Sequence, residues 1–122
     1  MEMNQAREIV EQYFERWSQK DYQGSRAYLA DDLNFKGPFD TFQRADDFIQ
    51  AVNRLGPIVK EIHVRKILSD GQSVCIVYDM ETSTPAGTVP IAEVFEVGLS
   101  GKITSIMAFF DARPFVPLFE RS

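Results

Sequence analysis

The spacing of apolar residues changes once along this chain, and that change constrains the fold more than any other feature. As far as residue 55, apolar residues recur at three- and four-residue steps, which is typical of amphipathic helices. From residue 58 onward they alternate with polar residues, which is typical of strands that bury one face. Helical segments followed by a run of strands predict an α+β fold.

Three helices are predicted in the first half. Asp21 is a suitable N-cap for the second, a short helix that we expect to end near residues 31–32. A short strand over 33–36 is stopped by Gly37-Pro38, and the third helix covers residues 45–55. The apolar stripe of the first helix consists of Ala6, Ile9, Val10, Tyr13, Phe14 and Trp17.

Four strands follow, and glycine-containing turns separate them. Asp70-Gly71 is a strong hairpin signal, and the two later turns end at Gly87 and Gly101. The strands therefore form a consecutive antiparallel meander. Their predicted ranges are 59–68, 74–83, 89–97 and 102–111.

A sheet covered on one side can curl into a cone. We predict an α+β fold with a cone-shaped, curved, mainly antiparallel sheet and three helices packed on its concave face. Residues that point inward near the open end would form a pocket for a small apolar molecule. The side chains expected to line it are Trp17, Tyr28, Phe35, Phe39, Phe95, Met107 and Phe109.

Length and composition limit the other possibilities. A chain of 122 residues, 44% of them hydrophobic, predicts a single domain over residues 1–122. The net charge is -5 and the 13 basic residues are scattered, so we expect no nucleic-acid partner. No apolar run is long enough for a secretion signal or a membrane span, which predicts a cytoplasmic protein without a membrane partner.

One cysteine, Cys75, and one histidine, His63, argue against a structural zinc site made of the usual nitrogen and sulfur ligands. We therefore predict no metal and no cofactor. His63 is interpreted as a surface or interface residue, and Cys75 as a small buried hydrophobe. No glycine-rich phosphate loop or nucleophile elbow occurs in the sequence.

Two stretches carry a family resemblance. Residues 30–39 resemble the turn into the first strand of ketosteroid isomerases, and residues 101–115 are similar to the last strand of limonene-epoxide hydrolases. With the order of elements, they make the chain resemble the SnoaL-like branch of the nuclear transport factor 2-like superfamily. This superfamily places isomerases, cyclases, hydrolases, dehydratases and non-enzymes on one scaffold, so the resemblance implies the fold more strongly than a reaction.

The resemblance also implies site residues. Glu93 falls where the isomerases keep a protonated acid, and Tyr13 where they keep the oxyanion-hole tyrosine. The isomerase base falls at Gly37, which has no side chain. Asp111 matches the last-strand carboxylate of the hydrolases and of SnoaL-type cyclases, which makes it the candidate general base.

The second hydrolase carboxylate matches Asp79 or Glu81, and the sequence leaves open which of them faces the pocket. The arginine that accompanies it would fall at Val77 or Asp79 and is missing. Both acidic residues could equally line a solvated face or a dimer interface.

The main candidates also have structural interpretations. Tyr13 lies on the apolar stripe of its helix and could be a core tyrosine. Glu93 shares a strand face with Ile91 and Phe95, where an acidic residue is rarely buried without a reason. Asp111 ends its strand, so capping or an ion pair with Arg113 would also explain it.

Three functions remain open. The first is a small enzyme that acts on an apolar substrate by isomerisation, cyclisation or hydrolysis, with Asp111 as base and with Tyr13 and Glu93 as hydrogen-bond donors. The second is a non-catalytic module that binds an apolar ligand, and the third is a structural dimerisation domain. We also predict a homodimer through the outer sheet face, whose apolar residues would be Val77, Val94, Ile106, Ala108 and Phe110.

Overall fold

The structure is a computed structural model that describes residues 3–116. Within this range the chain forms three helices, α1 (Met3–Ser18), α2 (Tyr22–Arg26) and α3 (Ala45–Leu55). α1 buries five residues of the predicted stripe, from Ala6 to Trp17, and Ile9 is partly buried. Asp21 caps α2 as predicted, because its Oδ1 accepts a hydrogen bond from the Gly24 N–H at 2.9 Å. No helix among the described residues combines the length and the apolar character needed to cross a bilayer.

The six strands form one curved, unclosed sheet. Its order is β2-β1-β6-β5-β4-β3, and every neighbouring pair is antiparallel except β1 and β6, which are parallel. The predicted meander corresponds to β3 to β6, so the α+β prediction is confirmed. The strands are β1 (Leu29–Lys36), β2 (Thr41–Phe42), β3 (Val59–Asp70), β4 (Ser73–Thr82), β5 (Thr88–Val97) and β6 (Ile103–Phe110).

The helices lie on one face of this sheet, as predicted. α1 contacts β3, β4 and β5, while α3 contacts β1 and β2, and α2 joins the other two helices. The helix-covered face of the sheet is called the inner face below. The buried side chains of this face and of α1 form the hydrophobic core.

The first strand differs from the prediction. It begins at Leu29, so α2 ends at Arg26 and the acidic pair at residues 31–32 lies in β1. Arg26 donates to the Leu29 carbonyl and to Asp31, and its Nε donates to Asp46 of α3. Parallel pairing with β6 also extends this strand, and sequence periodicity does not show such a distant partner.

The faces of β6 are the opposite of those predicted. Its pairs with β5 place Ile106, Ala108 and Phe110 on the inner face, whereas Met107 and Phe109 are 41% and 53% exposed on the outer face. The predicted inward orientation of Met107 and Phe109 is therefore wrong, as is the outward orientation of the other three.

A bulge explains the reversal. Glu96 pairs with Ser105, but the next residue, Val97, pairs with Ile103, so Thr104 is an extra residue in β6. Ile103 and Ile106 are consequently both buried although they lie three residues apart. One inserted residue moves every later side chain of the strand to the opposite face of the sheet.

The C-terminal segment packs against the sheet where it is described. Phe115 is buried in a short 3₁₀ turn, and its ring meets that of Phe110 edge-on at 5.8 Å between centroids. The apolar residues Pro117, Leu118 and Phe119, for which the sequence also favours packing, lie outside the described residues.

Candidate functional site

An acidic side chain lies on the otherwise apolar inner face of β5. Glu93 follows Ile91 and precedes Phe95 at two-residue steps, and all three share the inner face. Its cross-strand neighbours are Ile76 on β4 and Ala108 on β6. Glu93 is partly buried, so its carboxyl group is surrounded by apolar side chains while the residue keeps some exposed surface.

The hydroxyl of Tyr78 on β4 donates a hydrogen bond of 2.8 Å to Oε1 of Glu93. Burial raises the pKa of Glu93 to about 7, and the hydrogen bond from Tyr78 opposes this rise because it favours the carboxylate. Near neutral pH the carboxyl group is therefore divided between its neutral and charged forms. The neutral form can donate a hydrogen bond, and the charged form can only accept.

Tyr13 of α1 lies beside this acid. Its ring meets the edge of Phe95 at 5.8 Å, and burial followed by the charge of Glu93 raises its pKa well above the ordinary value. No hydrogen bond joins its hydroxyl to another described residue. Its hydroxyl stays protonated near neutral pH and is therefore a hydrogen-bond donor beside Glu93.

An aromatic wall borders the Tyr78 side of the site. Phe14 and Trp17 stack at 5.4 Å between ring centroids, and the ring of Tyr78 meets both of them edge-on, at 4.8 and 6.1 Å. The same burial raises the pKa of Tyr78 well above its ordinary value. The arrangement thus offers hydrogen-bond donors within an apolar surrounding.

Asp111 lies outside this group. Its side chain is 50% exposed, and both of its oxygens accept from the Arg113 guanidinium, at 2.9 and 2.8 Å. The hydrogen bonds from Arg113 lower the pKa of Asp111 to about 2. A carboxylate held in this way is a weak base, so the geometry supports the strand-cap interpretation and disfavours the general base.

A family model described as a SnoaL-like domain matches residues 10–106. The chain belongs to this family. The resemblance drawn from the sequence is therefore confirmed. A search of curated protein sequences finds no significant match.

Solved structures share the fold of this SnoaL-like domain. An NTF2-like protein of unknown function from Cytophaga hutchinsonii has a TM-score of 0.78 and 22% identity, covering 94% of this chain and 95% of its own. A candidate ketosteroid isomerase from Kribbella flavida has a TM-score of 0.79 and 19% identity, covering 89% and 79%. An LEH-like epoxide hydrolase from M. tuberculosis has a TM-score of 0.76 and 24% identity and covers both chains completely. Proteins named as an isomerase and as a hydrolase thus share this fold.

The SnoaL-like domain brings together part of the predicted site. Tyr13, Glu93, Phe95 and Trp17 lie in the group just described. The remaining predicted aromatic residues lie elsewhere. Phe35 stacks on Phe48, Phe39 is exposed near Phe110, and Tyr28 borders a polar surface depression of about 380 Å³.

Both alternatives for the second carboxylate face away from the interior. Asp79 accepts from Arg65 Nε at 2.6 Å, and Glu81 lies 3.8 Å from His63 Nε2. These residues alternate with the buried Tyr78 and Met80, so they lie on the outer face of the sheet. The predicted surface position of His63 is confirmed, since more than half of its side chain is exposed.

The sequence interpretation missed Tyr78 as the partner of Glu93. The signal was present, because Tyr78 shares an alternating apolar face with Val74 and Ile76 on the strand next to Glu93. Placing it against the acid requires the register of the β4–β5 hairpin, in which Ile76 pairs with Glu93.

Proposed function

We propose that this SnoaL-like protein binds a small apolar molecule through an oxygen atom that accepts hydrogen bonds from Glu93 and Tyr13. The observation that carries the proposal is the Glu93 carboxyl group, which accepts a hydrogen bond from Tyr78 within an apolar surrounding and has a pKa of about 7. A carbonyl, an enolate or a phenolate has the required acceptor.

Two donors support this ligand class. Neutral Glu93 would donate through its carboxyl proton, and Tyr13 through the hydroxyl that no described residue binds. Donors are most effective toward negative charge where water is scarce, because the effective dielectric constant is low there. The neighbouring aromatic rings supply apolar contact area.

We propose binding without turnover. Asp111, the candidate base, is engaged by Arg113, and Gly37 stands where the resemblance places the isomerase base. Neither position supplies an available proton acceptor beside Glu93. Turnover of a ligand by the protein would favour the enzyme hypothesis instead.

The test is a calorimetric titration with small phenols, some ionised and some neutral at about pH 6, where Glu93 is mostly protonated. We expect ionised phenols to bind more tightly, and Glu93→Ala and Tyr13→Phe each to weaken their binding by roughly tenfold. Glu93→Gln keeps a donor and should retain the preference.

The controls are Asp111→Asn and Glu96→Gln, a position on β5 three residues after Glu93 that lies on the outer face. Both variants should bind the phenols as the parent does. At about pH 8 Glu93 is mostly charged, so parent binding of ionised phenols should weaken while that of Glu93→Gln should not. The proposal is wrong if Glu93→Ala and Tyr13→Phe bind the whole series as the parent does.

Homodimerisation is a second candidate function, which an exposed apolar surface favours. The cross-strand pairs place seven apolar residues in two adjacent rows on the outer face of the sheet. Leu68, Met107 and Phe109 are the most exposed of them. The outer apolar patch consists of Leu68, Cys75, Val94, Met107, Val77, Ala92 and Phe109. A second copy of the chain would remove this surface from water.

A further inference from the structure

Three potential metal ligands converge on the outer face, beyond the outer apolar patch. His63 Nε2 lies 3.2 Å from Glu61 Oε2 and 3.8 Å from Glu81 Oε2. One ligand atom from each residue lies within 4.8 Å of the others. A single ion could therefore contact all three side chains.

The register of two strands produces this convergence. Glu61 of β3 pairs directly with Glu81 of β4, and His63 follows Glu61 by two residues on the same face. Two carboxylates opposite each other on neighbouring strands repel, which is destabilising unless a positive charge lies between them.

The described residues offer little other neutralisation. No lysine or arginine forms an ion pair with Glu61 or Glu81 within residues 3–116. Arg65, the nearest arginine along β3, is engaged by Asp79 at 2.6 Å. A cation held among the three side chains would supply a positive charge between the two carboxylates.

We propose that Glu61, His63 and Glu81 form a binding site for a divalent first-row metal ion, with Zn²⁺ the best match. One imidazole nitrogen with two carboxylate oxygens is a donor set that Zn²⁺ accepts, whereas Mg²⁺ and Ca²⁺ prefer oxygen ligands throughout. The side chains are exposed enough for water to complete the coordination. This site is on the face opposite Glu93 and does not depend on the proposed ligand.

The test is calorimetric titration of ZnCl₂ into the tag-free protein, in a Cys75→Ser background that removes the single thiol. We expect one Zn²⁺ per chain, and His63→Ala, Glu61→Gln and Glu81→Gln each to weaken its binding by roughly 10- to 100-fold. Glu96→Gln, on the same outer face, is the matched control and should bind Zn²⁺ as the background does.

A second measurement uses the fact that the chain has one histidine. Imidazole ¹⁵N resonances therefore report on His63, and Zn²⁺ should shift the Nε2 signal while equimolar Mg²⁺ does not. The proposal fails if Zn²⁺ leaves these resonances unchanged, or if Glu61→Gln and Glu81→Gln bind Zn²⁺ as tightly as the control does.

Discussion

At the scale of single residues, Glu93 makes the stability of the folded protein depend on pH. Its ordinary pKa of 4.5 applies in the unfolded chain, and its pKa is about 7 in the folded protein. Between these values the folded state keeps a proton that the unfolded state has released. The contribution of this group to folding stability therefore falls as pH rises through this window. Above about pH 7 the full cost of a buried, charged carboxylate opposes folding.

The first prediction is that Glu93→Gln removes this penalty. The parent should lose at most about 3 kcal/mol of unfolding free energy through this residue between pH 4.5 and 7, because each pKa unit corresponds to about 1.4 kcal/mol. Urea unfolding at several pH values would measure it. Parallel pH profiles for parent and variant would contradict the raised pKa.

The second prediction concerns the partner of the acid. Tyr78→Phe removes a hydrogen bond that favours the carboxylate, so the pKa of Glu93 should rise further. Carboxyl-carbon NMR titration measures that pKa directly. Tyr13→Phe is the control, since Tyr13 makes no hydrogen bond to Glu93 and its loss should not produce this rise. An unchanged titration of Glu93 in Tyr78→Phe would count against the hydrogen bond.

At the scale of elements, the bulge in β6 decides which side chains enter the core. Simple alternation counted from Ile103 places Met107 and Phe109 inward, as the sequence analysis expected. The extra residue at Thr104 reverses the alternation, so Ile106 is 0% exposed and its neighbour Met107 faces outward. A bulge of this kind leaves almost no mark on the pattern of residue types.

The third prediction compares these two neighbours. Ile106→Ala should lower the unfolding free energy by about 2–5 kcal/mol because it leaves a cavity in the core. Met107→Ala should lower it by about 1 kcal/mol or less, since much of that side chain is already in water. Urea unfolding in dilute protein, where self-association contributes little, would compare them. A larger loss of unfolding free energy in Met107→Ala than in Ile106→Ala would contradict the bulge and support the simple alternation expected from the sequence.

At the scale of the whole molecule, the helices cover one face of the sheet and leave the other without a covering layer in the described range. The outer apolar patch extends over four strands of that face, from the edge strand β3 to β6. Charged residues surround it, among them Lys66 and Glu96. A polar rim around an apolar centre is the usual composition of a protein interface.

The fourth prediction is a homodimer through the outer apolar patch. Sedimentation equilibrium at tens of micromolar should give twice the chain mass of 13.9 kDa. Phe109→Lys should shift the equilibrium to monomers, because it buries a charge at the interface. Gln12→Lys, on the exposed side of α1, should leave the dimer intact. A parent chain that sediments as a monomer excludes this interface.

Much of the architecture follows from local sequence. The helical stripe of α1, the cap at Asp21 and the hairpin at Asp70-Gly71 all have a local physical cause, and the structure confirms them. The inward position of Glu93 could also be predicted, since β5 pairs with β4 without a bulge from Val89 to Phe95. Local residue patterns are sufficient to predict which face a side chain occupies wherever the strand has no bulge.

The tertiary structure decided the rest, because it depends on which strands pair and in what register. The bulge at Thr104 chose the faces of β6, and the β4–β5 pairing brought Tyr78 to Glu93. The β3–β4 pairing likewise placed Glu61 opposite Glu81. A sequence pattern indicates which face of a strand a side chain occupies. The side chain that it contacts there belongs to a strand distant in the chain, and the free energy of that contact exists only after both strands have paired.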